Sequence, residues 1–206
     1  ILLTGCASTC MEYRSATTAA RSEKDLKRAE EWGLKALESP ECNPATDAHA
    51  PYFLAIEVYL LQKNYSKMAK MLDIAEKRNP DQLLENPFKM GDTPVQTISE
   101  GVAAYRDQEW TKLYNKAVDY IQKDKIDKAK KKIETAILIH PKKEENYLTL
   151  AAIHTQNNDI NAALATANRG LDADDKNSAL YQLKADILLQ NNSDISNMES
   201  AKELYL

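Results

Sequence analysis

Apolar residues along most of the chain recur three and four positions apart, and no window alternates steadily between apolar and polar residues. The first pattern lays an apolar stripe on a helix, whereas the second would mark a half-buried strand. The spacing therefore predicts a chain that is almost wholly helical, with next to no sheet. Pro40, Pro80 and Pro141 each close an amphipathic run, as expected of a residue that lacks the N–H a helix interior needs. Residues 83–109 break the rhythm. Asn86-Pro87, Gly91-Asp92 and Thr93-Pro94 are turn signals. From Val95 a helical pattern resumes through Ile98, Val102 and Tyr105 into Trp110. A loop and then a long helix are expected there.

The helical runs repeat. Counted back from Pro141 in a frame of about 34 residues, Ala117, Ala129 and Ala136 fall in small-residue slots and Tyr120 and Ile133 in large ones. The next frame carries Tyr147, Leu150, Ala151, His154, Ala163, Ala167 and Gly170, with Asp175 in place of the closing proline. An earlier frame, ending at Pro80, carries Tyr52, Tyr59, Tyr65, Leu72 and Ala75. It departs at Ile56 and Met68, where small residues are expected, so its two helices should sit further apart. Partial frames flank these. Tyr13, Ala29 and Ala36 mark a first unit with a short, polar first helix, and Tyr181, Ala185 and Leu188 mark a last one. Small residues let paired helices approach, and large ones fill the space between them.

This spacing resembles that of the tetratricopeptide repeat (TPR) family. The resemblance implies an all-α, right-handed superhelical solenoid of about four to five helix–turn–helix units, the first and last incomplete, each covering its neighbour's apolar face. It also implies that the first helices line a concave groove. The groove positions are Phe53, Glu57, Leu60 and Leu61 in one unit, Tyr114, Val118, Ile121 and Gln122 in the next, then Leu148 and Gln156. These are the expected partner-binding residues. Slots that hold Lys, Arg and Asn in TPRs gripping acidic tails carry Phe53, Leu54, Tyr114, Leu148 and Leu183 here, so that grip is not expected.

The N-terminus adds a second resemblance. Leu3-Thr4-Gly5-Cys6 is similar to the lipobox that ends a bacterial lipoprotein signal peptide, where the Cys thiol takes the lipid. That implies acylation at Cys6 and anchoring in the cell envelope, most simply at the outer membrane since Ala7 follows the Cys. The expected division is a signal-peptide remnant (1–5), a tether (6–9), an N-terminal pair of TPR units (10–82), a loop and helical extension (83–109) and C-terminal TPR units (110–206). Export would place the chain in an oxidising compartment. With Cys6 acylated, Cys10 and Cys42 remain, and the frame puts both at one end of the first helix pair. A disulfide between them is one reading, and two free thiols the other.

Composition narrows the function. A net charge of −4 offers no general attraction to nucleic acid, and the dense run from Lys123 to Lys132 reads as a solvated helix face. There is no Gly-rich phosphate loop, HExxH or Cys-x-x-Cys pair, and the histidines are dispersed. His154 takes a slot that calls for a packed side chain. No enzyme, cofactor, metal or small-molecule substrate is expected. The expected function is a lipid-anchored adaptor that binds a partner protein in its groove. The alternative is a structural subunit that stacks end to end into an oligomer or filament.

Overall fold

The computed structural model describes residues 10–190, which puts Cys6 and the C-terminal segment from residue 191 outside the described residues. The order is α1 (Met11–Arg21), α2 (Leu26–Ala36), a short 3-10 turn (Pro40–Cys42), α3 (His49–Phe53) continuing directly into a π-helical stretch (Leu54–Tyr59), and α4 (Tyr65–Arg78). A hairpin of β1 (Leu83–Met90) and β2 (Thr93–Thr97) follows. Then come α5 (Ile98–Gln122), α6 (Ile126–Ile139), α7 (Glu144–Gln156), α8 (Ile160–Ala173) and α9 (Ser178–Gln190). The described residues have the expected all-α class, built of successive helix–turn–helix pairs, with one hairpin inserted. The chain forms two compact units that meet in sequence at residues 108 and 109. Among the described residues, no helix is long and apolar enough to cross a membrane.

The turn inside each helix pair has one geometry, repeated four times. Lys24, Lys63, Asp124 and Asn158 adopt left-handed φ values of 58°, 57°, 55° and 57°. The residue after each opens the second helix. Asp25, Asn64 and Asp159 accept from the backbone N–H three residues on, while Lys125 offers no side-chain cap. A side-chain oxygen there satisfies a donor that the helix itself leaves unpaired.

In the second unit the small-residue slots are closed by fully buried Ala117, Ala129, Ala136, Ala151, Ala163 and Ala167. Ala117 and Ala129 share one cluster with Ile133, Ile137, Tyr147, Leu150, Ile153 and Leu180, and Ala151, Ala163 and Ala167 share another with Ile187. Tyr147 and Tyr181 each donate a hydroxyl hydrogen bond to a carbonyl six residues back, of Pro141 (2.7 Å) and Asp175 (3.1 Å). The aromatic slot thus also ties down the preceding turn. Asn146, fully buried, accepts from Trp110 Nε1 at 3.0 Å. His154 is half-buried at the end of α7.

Three local expectations are corrected in the first unit. Helix α1 is short and polar as expected, but it is not loosely packed: it buries Tyr13, Ala16, Ala19 and Ala20. Ile56 does not sit at the helix–helix contact either. The N–H of Leu60 reaches the carbonyl of Ala55, so the helix carries a wider π turn over Leu54–Tyr59. Such a turn inserts one residue into the register. Ala55 becomes the fully buried small residue, and Ile56 rotates to a half-buried position.

The third correction is residues 83–97, a β-hairpin rather than a loop. Phe88 pairs with Val95, Lys89 with Pro94 and Met90 with Thr93, leaving Gly91-Asp92 as a two-residue turn. Gly91 has φ +61°, as tight hairpin turns demand. The strands are mostly exposed, with Leu84 and Val95 their buried residues. An exposed two-stranded sheet tolerates Pro87 and Pro94, because a missing donor can face solvent. The N–H groups of Ile98 and Ser99, at the start of α5, reach back to the carbonyls of Gln82 and Pro80. That closes the base of the hairpin.

Candidate functional site

A cavity of about 310 Å³ opens in the first unit between α1, the α3–π helix, β1 and the start of α5. Its walls are mainly rings: Tyr13, Tyr52, Phe53, Phe88 and Tyr105, joined by Ile56 and Leu84. Arg21, Glu57, Glu85, His49 and Asn86 supply the polar lining. The hairpin gives the cavity one wall, with Leu84 and Phe88 on β1.

Each ring is held. Tyr13 lies one turn into α1, where its N–H donates to Cys10 Sγ at 3.2 Å. Cys10 is disulfide-bonded to Cys42, with the Cα atoms 4.8 Å apart. The Tyr13 hydroxyl donates to Glu85 Oε2 at 2.7 Å, and its ring meets Phe53 edge-on at 5.8 Å. Phe53 is only 2% exposed. Tyr105, on α5, contacts the rings of Phe88 (5.7 Å) and Tyr52 (6.4 Å). Tyr52 Oη is the buried side-chain oxygen among the described residues that has no hydrogen-bond partner.

The polar groups form two sets. At the far end of α1, Arg21 donates Nε and Nη2 to the two oxygens of Glu57 at 2.8 and 2.6 Å. The same guanidinium lies 3.8 Å from Glu85. One cation thus faces two carboxylates, leaving an excess of negative charge. Opposite, His49 Nε2 lies 2.9 Å from the carbonyl of Leu83 and Nδ1 3.4 Å from Asp47. Gln82 donates to Asp47 at 3.1 Å and accepts from the N–H of Ala48 at 2.7 Å. Burial opposes the imidazolium, yet the bonds to Asp47 and Leu83 and the charges of Asp47 and Glu85 outweigh it, so the His49 pKa is raised. All three tyrosine hydroxyls are pushed up. Burial is the main cause, with Glu85 adding to it at Tyr13, Tyr105 and Glu57 at Tyr52, and Glu57 at Tyr105.

This arrangement suits binding. Rings offer faces and edges to a guest, and the carboxylates at the rim are already oriented by Arg21 and Tyr13. Among the described residues, Cys10, Glu12 and Cys42 are the group with metal-ligand atoms close together. Both sulfurs are spent on the disulfide, so that cluster is no ligand set.

The structure divides the groove residues read from the sequence. Phe53 and Glu57 line the cavity. Leu60 is half-buried, and Leu61 is exposed at 63%. In the second unit, Tyr114 is half-buried, stacked on Trp110 at 5.3 Å and hydrogen-bonded to Thr149 at 2.8 Å. Ile121 and Leu148 pack against the core cluster, Val118 is half-buried, and Gln122 and Gln156 are exposed. Sequence reasoning missed Tyr13, Arg21, His49, Tyr52, Glu85, Phe88 and Tyr105. The available signal was the break in the repeat at residues 83–109, with Gly-Asp flanked by Phe88-Lys89-Met90 and Val95, a two-residue hairpin pattern.

A family model described as Tetratricopeptide repeat matches residues 120–187, which span the end of α5 through most of α9. No curated protein matches in sequence. Solved structures similar to the chain include MamA from Desulfovibrio magneticus RS-1, residues 41 to the end, at 10% identity and TM-score 0.39, covering 99% of this chain and 96% of that one. YrrB, titled a TPR protein with an unusual peptide-binding site, is 14% identical at TM-score 0.36, with 94% and 84% covered. The TPR2AB-domain–pHSP90 complex of yeast Sti1 is 13% identical at TM-score 0.38, with 97% and 92% covered.

Proposed function

We propose that this chain is a non-catalytic scaffold that captures a segment of a partner protein, with the first-unit cavity as its main socket. The observation that carries this reading is the ring-walled cavity of about 310 Å³. That volume lies at the lower end of the range of ligand pockets, whose linings are likewise mostly apolar with a few placed polar groups. Its aromatic walls are the kind of surface that dominates interface energy. The tetratricopeptide match over residues 120–187 supports protein binding, since that fold generally serves to hold other proteins. Leu60 and Leu61 are proposed as further contacts beside the cavity. Tyr114, Val118, Ile121, Gln122, Leu148 and Gln156 are proposed as a second contact strip in the other unit.

Selection of displayed random peptides on the intact chain tests the socket. A shared motif should emerge, and its binding should fall about tenfold or more with Phe88→Ala or Tyr105→Ala. Motif binding that ignores both changes would move the site elsewhere.

We further propose that the scaffold is a lipoprotein acylated at Cys6 and held at the outer membrane of a bacterial envelope. Leu3-Thr4-Gly5-Cys6 supports this, and the several acyl chains of such an anchor suffice for stable attachment. Cys6→Ser should release the protein from membranes. Intact residues 1–5 on the native protein would reject the proposal.

A further inference from the structure

The cavity carries an excess of acid within aromatic walls, and this bears on what it accepts. On its lining, Glu57 and Glu85 face a single arginine, Arg21. That arginine is committed to Glu57 through two hydrogen bonds and lies 3.8 Å from Glu85. The histidine on the lining, His49, stands 3.4 Å from Asp47, so its positive charge, when present, is already balanced. The net charge of these groups is negative whether or not His49 is protonated. The remaining wall is ring and aliphatic surface.

Three kinds of side chain could enter such a space. An acidic one would meet the two carboxylates and would have to win Arg21 from Glu57. A purely apolar one would satisfy the rings but leave the acid excess unanswered as it is desolvated. A lysine or arginine suits both features. Its methylene stem lies along apolar surface while its head stays polar. The charged head is attracted to ring faces and to the rim carboxylates.

Building on the capture reading, we propose that the cavity accepts a lysine or arginine side chain of the partner segment, its stem against Phe88 and Tyr105 and its charged head toward Glu57 and Glu85. The raised hydroxyl pKa values of Tyr52 and Tyr105, to which the Glu57 charge contributes after burial, fit a negative interior. Glu85 is the carboxylate that sets the preference, because it is not held in a two-bond pair with Arg21. Its known partner, the Tyr13 hydroxyl, would still have an oxygen acceptor in Glu85→Gln.

The test is fluorescence anisotropy with the full-length chain and peptides of about a dozen residues, alike except at one central position. That position is Lys, Arg, Leu, Phe or Glu, in neutral flanks. The Lys and Arg peptides should bind about tenfold tighter than the Leu and Glu peptides. Glu85→Gln should remove most of that advantage, and an unchanged circular dichroism spectrum would show that the variant is folded. If the Leu or Phe peptide binds best, the basic-residue proposal falls and the capture reading stands. If the Glu peptide binds best, Arg21 governs the site and the proposal falls in the same way. If Nα-acetyl-lysine methylamide alone matches the Lys peptide, the guest is a small cation and not a protein segment. Failure of every peptide to bind overturns both the proposal and the capture reading.

Discussion

The hydroxyl of Tyr52 occupies the space that a side chain at Gly101 would need: a Cβ built on Gly101 would fall against Tyr52 Oη, with the ring carbon Cζ only 2.9 Å away. The start of α5 can lie against the α3–π helix because Gly101 presents bare backbone there. The same hydroxyl is buried without a partner, so the contact is steric and not a hydrogen bond. Gly101→Ala should destabilise by about 1–3 kcal/mol through overpacking. Tyr52→Phe should be neutral or stabilising by about 1 kcal/mol, since it removes an unsatisfied buried group. In the double variant, part of the Gly101→Ala loss should return. Urea unfolding of the four proteins measures this. A strongly destabilising Tyr52→Phe would mean that the hydroxyl has a partner after all.

The repeated turns make a second prediction. Lys24 and Lys63 hold left-handed φ values, which crowd the Cβ of an L-residue. Glycine adopts that region freely. Lys63→Gly should stabilise by about 1 kcal/mol, and Asn158→Gly by less, because asparagine tolerates the left-handed region better. At the neighbouring position, Lys125 lacks the capping oxygen that Asp25, Asn64 and Asp159 provide. Lys125→Asp should add about 1 kcal/mol. Thermal melts would show these gains. A loss on Lys63→Gly would mean that the lysine side chain contributes more than its backbone costs.

The pair formed by Asp47 and His49 should give stability a pH window. Burial opposes both charged forms, yet each partner favours the other, so the Asp47 pKa is lowered and the His49 pKa raised. The His49 contribution is complete below the unfolded-state value of about 6.5 and is lost as pH rises through the raised folded value. The Asp47 contribution is complete above about 4 and is lost as pH falls through its lowered value. The joint maximum lies between those limits. Structurally, a neutral ring accepts at Nδ1 from Gln82, 3.0 Å away, and a protonated ring donates to Asp47. Melting temperatures of the native protein and His49→Gln should differ most near pH 5–6 and converge toward pH 9, near which a neutral ring adds no charge pairing. A constant difference across that range would show that His49 acts only through packing.

Cys10 and Cys42 give a fourth. Their sequence separation is 32, and closing a loop of that size restricts the unfolded chain by about 3–4 kcal/mol in the chain-entropy model. Cys42→Ser should lower stability by up to that amount. It should also loosen the placement of Tyr13, whose backbone N–H is held by Cys10 Sγ. Unfolding curves with and without reductant would show it: reductant should weaken the native protein and leave Cys42→Ser unchanged. Identical curves for the native protein under both conditions would mean that the bond is absent in solution.

Helical repeats are legible in a sequence because their signal is local. The spacing of Ala117, Ala129, Ala136, Ala151 and Ala163 follows from how a helix turns, and those residues are fully buried. Tyr147 and Tyr181 could be placed by the same count. The hairpin at residues 83–97 could not be read with equal ease. Its strands are largely exposed and carry two prolines, so no alternation of apolar residues announces them. The π-helical register at Leu54–Tyr59, which buries Ala55 and sets Ile56 half-buried on the cavity wall, depends on wide backbone bonds that side-chain spacing does not encode. The cavity is further still from local pattern. Tyr13, Arg21, His49, Tyr52, Glu85 and Tyr105 belong to four separate elements, and only packing within the first unit brings them to one space. The sequence by itself determined the repeat and its buried small residues, since period and volume are properties of neighbouring positions. Tertiary structure alone decided where rings and carboxylates meet, since that depends on contacts between residues as far apart in the chain as Tyr13 and Glu85.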